Sequence, residues 1–169
     1  MTLDRPALQR DLDRFAAQEA QLRLPIWNEA IAWQLGCRLR ERVLERGQSI
    51  TIEARLAGQT VFLHAMPGTT PTNADWARRK RNAVEQLGRS SSAIGHALAL
   101  DGATLESRQG LSVRDHVAAG GAFPIRLADG GAFVGVITVS GLPQREDHAL
   151  VVAVLAEHLG LDLAPLALD

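Results

Sequence analysis

The segment from Val134 to Leu155 runs from an apolar strand through Ser-Gly-Leu-Pro into a helix and brings several polar side chains to one corner. Ser140 and His148 are residue types that serve as nucleophile and as acid or base. A triad of Ser140, Asp147 and His148 is disfavoured because neighbouring helical positions point in different directions, and the sequence has no G-x-S-x-G elbow. The free N–H groups of the helix start would bind an anion, although Glu146 and Asp147 oppose one. Alternatively, these acidic side chains only complement the helix dipole. The sequence thus leaves three interpretations of this segment: a catalytic site, an anion-binding site, or a turn with only a structural role.

A second candidate is the basic run of a predicted helix, in which Arg78, Arg79, Lys80 and Arg81 are consecutive. Consecutive positions spread around a helix, so some of these cations lie near Trp76, whose indole face attracts them. One or two of the side chains entering a pocket would bind a carboxylate or phosphate, with hydroxyl groups from the serines at 90, 91 and 92. The alternative interpretation is a solvated basic face.

The third candidate is the stretch from Arg114 to Ile125, which contains His116 and the pair Gly120-Gly121. Paired glycines allow a tight turn or a close approach of backbone to ligand. His116 precedes this turn and either faces a cleft or is an ordinary hydrogen-bonded side chain. The five histidines show no H-E-x-x-H spacing and Cys37 is the single cysteine, so the sequence predicts no metal site.

The composition limits the kinds of binding partner and the cellular compartment that we expect for this protein. A formal net charge of −1 gives no reason to expect nucleic acid or a membrane surface as partner. One cysteine excludes an internal disulfide and is typical of a reducing cytosol. The charged first residues do not resemble a signal peptide, and no run reaches the roughly 20 apolar residues of a membrane span. We therefore expect a cytoplasmic protein.

Hydrophobic spacing predicts the element order α-α-β-β-α-α-β-β-α. Two hairpins separated by helices indicate an antiparallel sheet flanked by helices, an α+β fold. The whole chain, 1–169, is predicted to be one domain, with a first helix over 4–20, capped by Thr2 or Asp4, as an appendage. The other predicted helices are 25–46, 74–87 capped by Thr72 or Asn73, 90–100, one or two turns within 112–119, and 143–159; the predicted strands are 50–56, 60–66, 123–128 and 132–140. The last strand is apolar on both faces, which places it in the middle of the sheet.

Together the three candidate segments carry a resemblance over residues 24–159. The motifs are W-x-x-R-K-R-N-x-V followed by S-S-x-x-x-G, then G-G-x-F-P-I, then G-V-x-T-V-S-G-L-P-Q-x-E-D-H. They resemble an uncharacterised branch of small cytosolic proteins within the haem-degrading, GlcG-like domain family. The matching residues are Trp76, Arg79, Lys80, Arg81, Asn82, Ser91, Ser92, Gly120, Gly121, Phe123, Pro124, Ser140, Gly141, Pro143, Asp147 and His148.

This resemblance implies a profilin-like fold and a homo-oligomer. The wider group includes a haem-binding secreted protein and the C-terminal domain of a corrinoid adenosyltransferase, so haem is the cofactor that it suggests. No catalytic set or haem ligand is carried over to this chain. His116 and His148 are the chemically plausible haem ligands.

Three function classes follow. The first is a homo-oligomeric protein that binds a small anionic or haem-like ligand, the second is an enzyme acting on haem or a small anionic metabolite, and the third is an oligomeric scaffold for protein partners. The candidate ligand-binding residues are Trp76, Arg79, Lys80, Arg81, Ser91, Ser92, His116, Gly120, Gly121, Phe123, Ser140 and His148. We expect Trp76, the basic helix and Gly120-Gly121 to border one pocket.

Two further expectations concern the last helix. His148 lies in its first turns, so we expect this residue to stabilise the corner rather than perform chemistry. From Ala149 to Ala156 the helix has no polar side chain, and the tail after Gly160 adds four leucines. Because large exposed apolar patches mark interfaces, this predicts a homo-oligomer, unless the N-terminal helices cover the helix within one subunit.

Overall fold

The computed structural model describes residues 4–168, which form a four-stranded sheet with helices on both faces. In chain order the elements are α1 (Arg5–Gln21), α2 (Glu29–Leu44), β1 (Thr51–Leu56), β2 (Gln59–Ala65), α3 (Pro71–Leu87), α4 (Ser91–Asp101), α5 (Leu105–Gln109), β3 (Ala122–Arg126), β4 (Phe133–Ser140) and α6 (Gln144–Leu159). This confirms the predicted α+β class.

The strands lie in the order β2-β1-β4-β3, and every neighbouring pair is antiparallel. β4 is therefore internal, as its two apolar faces predicted. Its partner β1 pairs Thr51 with Ser140. This register brings the end of β4, and with it the start of α6, to one edge of the molecule.

Alternate residues of the strands serve two separate cores. α2 and α6 pack on one face, where Ile52, Phe123 and Ile137 are buried. α3 packs on the other, where Val84 contacts Val136. α3 and the start of α6 thus approach the end of β4 from opposite faces of the sheet.

Two helix starts follow local hydrogen bonding. The Asp4 carboxylate accepts the Ala7 N–H at 3.0 Å and caps α1; the alternative cap, Thr2, lies outside the described residues. α3 begins at Pro71, because the Thr70 N–H donates to the Asn73 side chain at 2.9 Å. The predicted start at 74 is therefore wrong: Asn73 is the third residue of the helix, where it completes a capping box.

The segment between α4 and β3 departs most from the sequence-based prediction. α5 was not predicted, because LESRQ is too short to show an apolar stripe. The predicted helical turns within 112–119 reduce to one turn, closed by the N–H groups of Asp115 and His116 on the Ser112 carbonyl.

The apolar surface of α6 is covered largely within the chain. α1 supplies Phe15 and Gln18 to the interior, and Leu166 of the tail is also buried. The Gln18 side-chain amide donates to the Leu166 carbonyl at 2.7 Å and joins the first helix to the tail. The run from Ala149 to Ala156 therefore does not by itself require a second subunit. Over residues 4–168 no helix has the length and apolar content to cross a membrane.

Candidate functional site

A cleft of about 420 Å³ opens where α3, the end of β4 and the start of α6 meet. We name it the Trp76 cleft. Its lining residues are Asn73, Trp76, Lys80, Ala119, Ser140, Gly141, Leu142, Gln144 and Asp147. Three of the predicted site residues, Trp76, Lys80 and Ser140, are therefore brought together here.

A buried ion pair forms one wall of the cleft. Nζ of Lys80 lies 2.7 Å from Oδ2 of Asp147 and 3.2 Å from the Val139 carbonyl oxygen. Lys80 is 3% exposed and Asp147 is 1% exposed. The other carboxylate oxygen of Asp147 accepts the Leu142 N–H at 3.1 Å. The pair thus joins α3 to the corner between β4 and α6.

Burial shifts the pKa values of the two partners in opposite directions. It lowers the pKa of the Lys80 ammonium, and the charge and hydrogen bond of Asp147 only partly offset this. Burial likewise raises the pKa of the Asp147 carboxyl, against the opposing charge of Lys80. Burial therefore brings the pKa values of the two partners closer together.

Gly120 and Gly121 lie directly behind this pair. A Cβ on Gly121 would lie 2.5 Å from the Val139 carbonyl oxygen and 2.8 Å from Nζ of Lys80, and the residue has φ +127°. A Cβ on Gly120 would clash with the Gln144 backbone. The paired glycines therefore permit close packing around the ion pair and do not themselves line the cleft.

The start of α6 borders the cleft through Gln144 and Asp147. Pro143 occupies the N-cap position and has no side-chain acceptor for the first-turn N–H groups. The Gln144 side chain accepts the Gly120 N–H at 3.3 Å. Of the two acidic side chains that opposed an anion, Asp147 is paired with Lys80, while Glu146 is exposed.

The neighbouring arginines are held outside the cleft wall. Arg79 stacks on Trp76 at 4.4 Å from the ring centroid and pairs with Asp75 at 2.9 Å. Arg81 turns toward the sheet and pairs with Glu53 at 2.8 Å. Lys80 is thus the member of the basic run that reaches the cleft.

Several other predicted site residues have structural contacts. The Ser91 hydroxyl accepts the Ala122 N–H at 3.0 Å and fixes the start of β3. Ser92 is buried, with its hydroxyl oxygen 2.6 Å from the position that a Cβ on Gly120 would take. Phe123 is in the core beneath α6.

The two candidate histidines lie away from the Trp76 cleft. His148 is 1% exposed, between the rings of Phe15 and Phe123, and its Nε2 lies 2.8 Å from the Gln18 side-chain oxygen. Burial lowers the pKa of His148 to about 3. His116 lines a different groove, together with Arg79, and its Nδ1 donates to the Ser112 carbonyl at 3.3 Å.

Comparison with known proteins identifies a family over nearly the same part of the chain as the motif resemblance. Residues 28–156 match the family model described as "Haem degrading protein HbpS-like". The chain belongs to this HbpS-like family. A UPF0303 protein of Azotobacter vinelandii is 49% identical over 162 residues, which cover 96% of this chain and 97% of the relative. The suspected membership of the haem-degrading, GlcG-like group is thereby confirmed.

Solved structures with a similar fold are consistent with this family assignment. The crystal structure of the Ybr137w protein has a TM-score of 0.82 and 25% identity, covering 94% of this chain and 96% of that one. The structure of a PduOC:heme complex has a TM-score of 0.63 and 18% identity, covering 73% and 88%. At that identity the second likeness shows the fold alone.

The family description raises haem as a ligand, and the Trp76 cleft can be tested for it. Haem iron takes His, Cys, Met or Tyr as protein axial ligand. None of these is among the residues that line the cleft. The Trp76 cleft of this HbpS-like protein therefore does not fit a haem ligated by any of these four residue types.

Asn73, Gly141, Leu142, Gln144 and Asp147 line the cleft but were not among the predicted site residues. Asp147 is the most important of them, since it holds Lys80. Its signal in the sequence was an acidic residue at an inward position of an otherwise apolar helix: Leu150, Val151 and Val154 follow at helical spacing.

Proposed function

We propose that this protein binds a small anionic molecule in the Trp76 cleft and works as a cytoplasmic homo-oligomeric ligand-binding protein. The observation that carries the proposal is the Lys80 ammonium, buried in the wall of a cleft that Ser140 also lines. Cations and free N–H groups together favour a carboxylate or phosphate.

The Lys80 ammonium has more N–H donors than the acceptors that contact it. A lysine ammonium has three N–H groups, and two acceptors, Asp147 and Val139, lie within hydrogen-bond distance of Nζ among the described residues. One N–H is therefore available to a ligand. Ser140 supplies a hydroxyl from the end of β4, and Trp76 supplies an apolar face. These groups suit a small anion with an apolar part.

Calorimetric titration with pyruvate and, separately, with inorganic phosphate tests the proposal. We expect saturable binding of at least one of them, weakened about tenfold in Ser140→Ala, since a hydrogen bond to a charged group contributes about 1.5–3 kcal/mol. Ser107→Ala on α5 is the control and should bind as the wild type does. Absence of saturable heat for both anions at millimolar concentration would contradict the proposal.

A haem-like ligand at a second surface is the alternative, favoured by the position of His116. Since Nδ1 donates to Ser112, the lone pair of the ring lies on Nε2, the arrangement that second-shell hydrogen bonds give to metal-binding histidines. The adjoining groove of about 300 Å³ is lined by Arg79, Leu98 and Val113 among others. Bound there, haem would supply iron for axial ligation, and Arg79 would lie near its carboxylates.

Haem titration followed by visible absorption distinguishes the two sites. The alternative requires a Soret shift that saturates at one haem per chain and is lost in His116→Ala but kept in His158→Ala, an exposed histidine of α6. An unchanged spectrum, or one equally changed in both variants, would exclude the His116 groove.

Two exposed apolar side chains support the homo-oligomer. Trp33 on α2 is 63% exposed and Leu63 on the edge strand β2 is 65% exposed. β2 also has a free edge without lysine, glutamate or proline, the residues that usually protect edge strands. We infer that copies of this chain associate through the β2 side. This association is equally compatible with the other two function classes, an enzyme and a scaffold for protein partners.

We infer further that 1–169 acts as one domain. The contacts of Phe15 and Gln18 support this, because α1, predicted as an appendage, contributes to the interior.

A further inference from the structure

Lys80 is the only lysine in the chain; the other seventeen of its 18 basic residues are arginines. Arginine therefore occupies every other position that carries a fixed positive charge. The single lysine is also one of the most deeply buried charged residues, at 3% exposure in the wall of a cleft.

Lysine and arginine differ in a property that matters at such a position. A guanidinium does not lose its proton in proteins, whereas a lysine does so when it is buried, and its free amine is a nucleophile. An ion pair alone would be served at least as well by arginine, which forms two parallel hydrogen bonds with a carboxylate. Stability does not explain the pair either, because buried ion pairs contribute little to it.

We propose that Lys80 forms a Schiff base with a small carbonyl compound that carries a carboxylate, such as a 2-oxo acid, and that Asp147 transfers the protons. This inference rests on the proposed function, since the same cleft must bind the anion. It adds a covalent step and a substrate class.

The step balances without any oxidant or reductant. The Lys80 ammonium gives one proton to Oδ2 of Asp147 across the 2.7 Å hydrogen bond. The nitrogen lone pair then attacks the carbonyl carbon, forming the C–N bond while the π electrons move to oxygen. A second proton passes from nitrogen to that oxygen. The Asp147 proton protonates the resulting hydroxyl group, which leaves as water, and the nitrogen lone pair forms the protonated imine.

The surroundings suit this sequence of transfers. The Leu142 N–H holds the other carboxylate oxygen of Asp147 at 3.1 Å, so Oδ2 stays directed at Nζ. The absence of a Cβ at Gly121 leaves room for Nζ to change its geometry when the imine forms. Ser140 and Gln144, the first residue of α6, line the same cleft and would receive the carboxylate of the ligand.

Borohydride trapping on the wild-type protein tests the inference directly. The protein is incubated with pyruvate, reduced with sodium cyanoborohydride, digested and mapped by mass spectrometry. The chain has only one lysine, so its N-terminal α-amine is the internal reference for unassisted imine formation. We expect reduced adduct on Lys80 to form at least tenfold faster than on the α-amine. Lactate, which has no carbonyl group, should give none.

Variants separate the roles. Lys80→Arg keeps the charge beside Asp147 and should give no adduct at position 80. Asp147→Asn keeps the shape of the side chain and should slow the adduct at least tenfold, since a positioned proton-transfer group contributes about 10²–10⁴-fold. Both variants are compared only after their melting transitions show a folded protein.

These experiments distinguish failure of the Schiff-base inference from failure of the proposed anion site. Saturable pyruvate binding without a Lys80 adduct overturns the inference and leaves the proposed function standing. Adduct on Lys80 no faster than on the α-amine also overturns it. A fast Lys80 adduct that methyl pyruvate, the neutral ester, forms as quickly as pyruvate would overturn the carboxylate-bearing substrate class of this inference and contradict the proposed anion site as well.

Discussion

Nζ of Lys80 and Oδ2 of Asp147 are 2.7 Å apart although 67 residues separate them in the chain. One residue is on the helix that packs on the Val136 face of the sheet, and the other is on the helix that packs on the Ile137 face. They meet beyond the end of β4, where the sheet no longer separates the two layers. The corner between β4 and α6 is therefore also the place where a cation from α3 is held.

Breaking this pair should be costly, whereas replacing it should not. We expect Lys80→Met to lower the free energy of unfolding by about 3–5 kcal/mol, because it leaves a buried carboxylate without its partner. The double variant Lys80→Met, Asp147→Leu should recover most of that loss. Urea unfolding of the three proteins measures both differences. A single variant as stable as the wild type would show that the pair is not buried as described.

The stability should depend on pH through His148. The pKa of His148 is about 3 in the folded protein and 6.5 when unfolded. Between these values the unfolded chain binds a proton that the folded one does not, so stability falls as the pH falls below 6.5, by up to about 1.4 kcal/mol per pH unit.

Comparison with His148→Gln isolates this contribution. Urea unfolding is measured from pH 7 to pH 5, where carboxyl groups with ordinary pKa values remain ionised. The wild type should lose stability over this range, and the variant should lose less. Identical slopes for the two proteins would contradict the burial of a neutral His148.

Gly121 should tolerate no side chain. A Cβ there would lie 2.5 Å from the Val139 carbonyl oxygen at a φ of +127°, whereas Gly102 has φ +63° and nothing within 4 Å of its Cβ position. We expect Gly102→Ala to cost about 1–2 kcal/mol in unfolding free energy, because a residue with a Cβ is strained in the left-handed backbone conformation. Gly121→Ala should cost several times more, because backbone atoms must also move. Equal melting temperatures for the two variants would refute the close packing behind the ion pair.

Association should depend on the exposed tryptophan of α2. Light scattering at micromolar concentration should give a multiple of the 18.2 kDa chain mass. Trp33→Glu should shift the protein toward 18.2 kDa, since a buried unpaired charge disfavours the contact. Gln34→Glu adds the same charge at the next exposed position of α2 and should leave the assembly intact. A monomeric wild type would end the proposal of an oligomer.

The strands of the sheet were predicted from the sequence more accurately than the segments that connect the elements. β4 was placed at the centre of the sheet because apolar residues occupy both of its faces, a pattern that burial on two sides requires. The start of α3 was misplaced because Thr70, Thr72 and Asn73 are all residue types that cap helices, and the local capping box between Thr70 and Asn73 was not recognised. α5 has five residues, fewer than two helical turns, and so has no periodic signal.

The residue types of the candidate site could be predicted from the sequence, but the directions in which their side chains point could not. Trp76, Lys80 and Ser140 do line one cleft, yet Phe123 and His148 point into the core. The spacing of His148, Val151 and Leu155 follows one helix face and is the signal that assigns this histidine to the interior. The partnership of Lys80 and Asp147 depends on contact between α3 and α6, which no local pattern encodes.

The single lysine permits a direct measurement of the central claim, that Lys80 lines a site for a small anion. In uniformly ¹⁵N-labelled protein the side-chain amine region of the NMR spectrum contains one lysine Nζ signal, because the chain has one lysine. Titration with pyruvate should move that signal, or replace it by an imine signal, with saturation at one pyruvate per chain, and Ser140→Ala should need about tenfold more pyruvate. A Nζ signal that stays in place at millimolar pyruvate and phosphate would show that the Trp76 cleft is not an anion site.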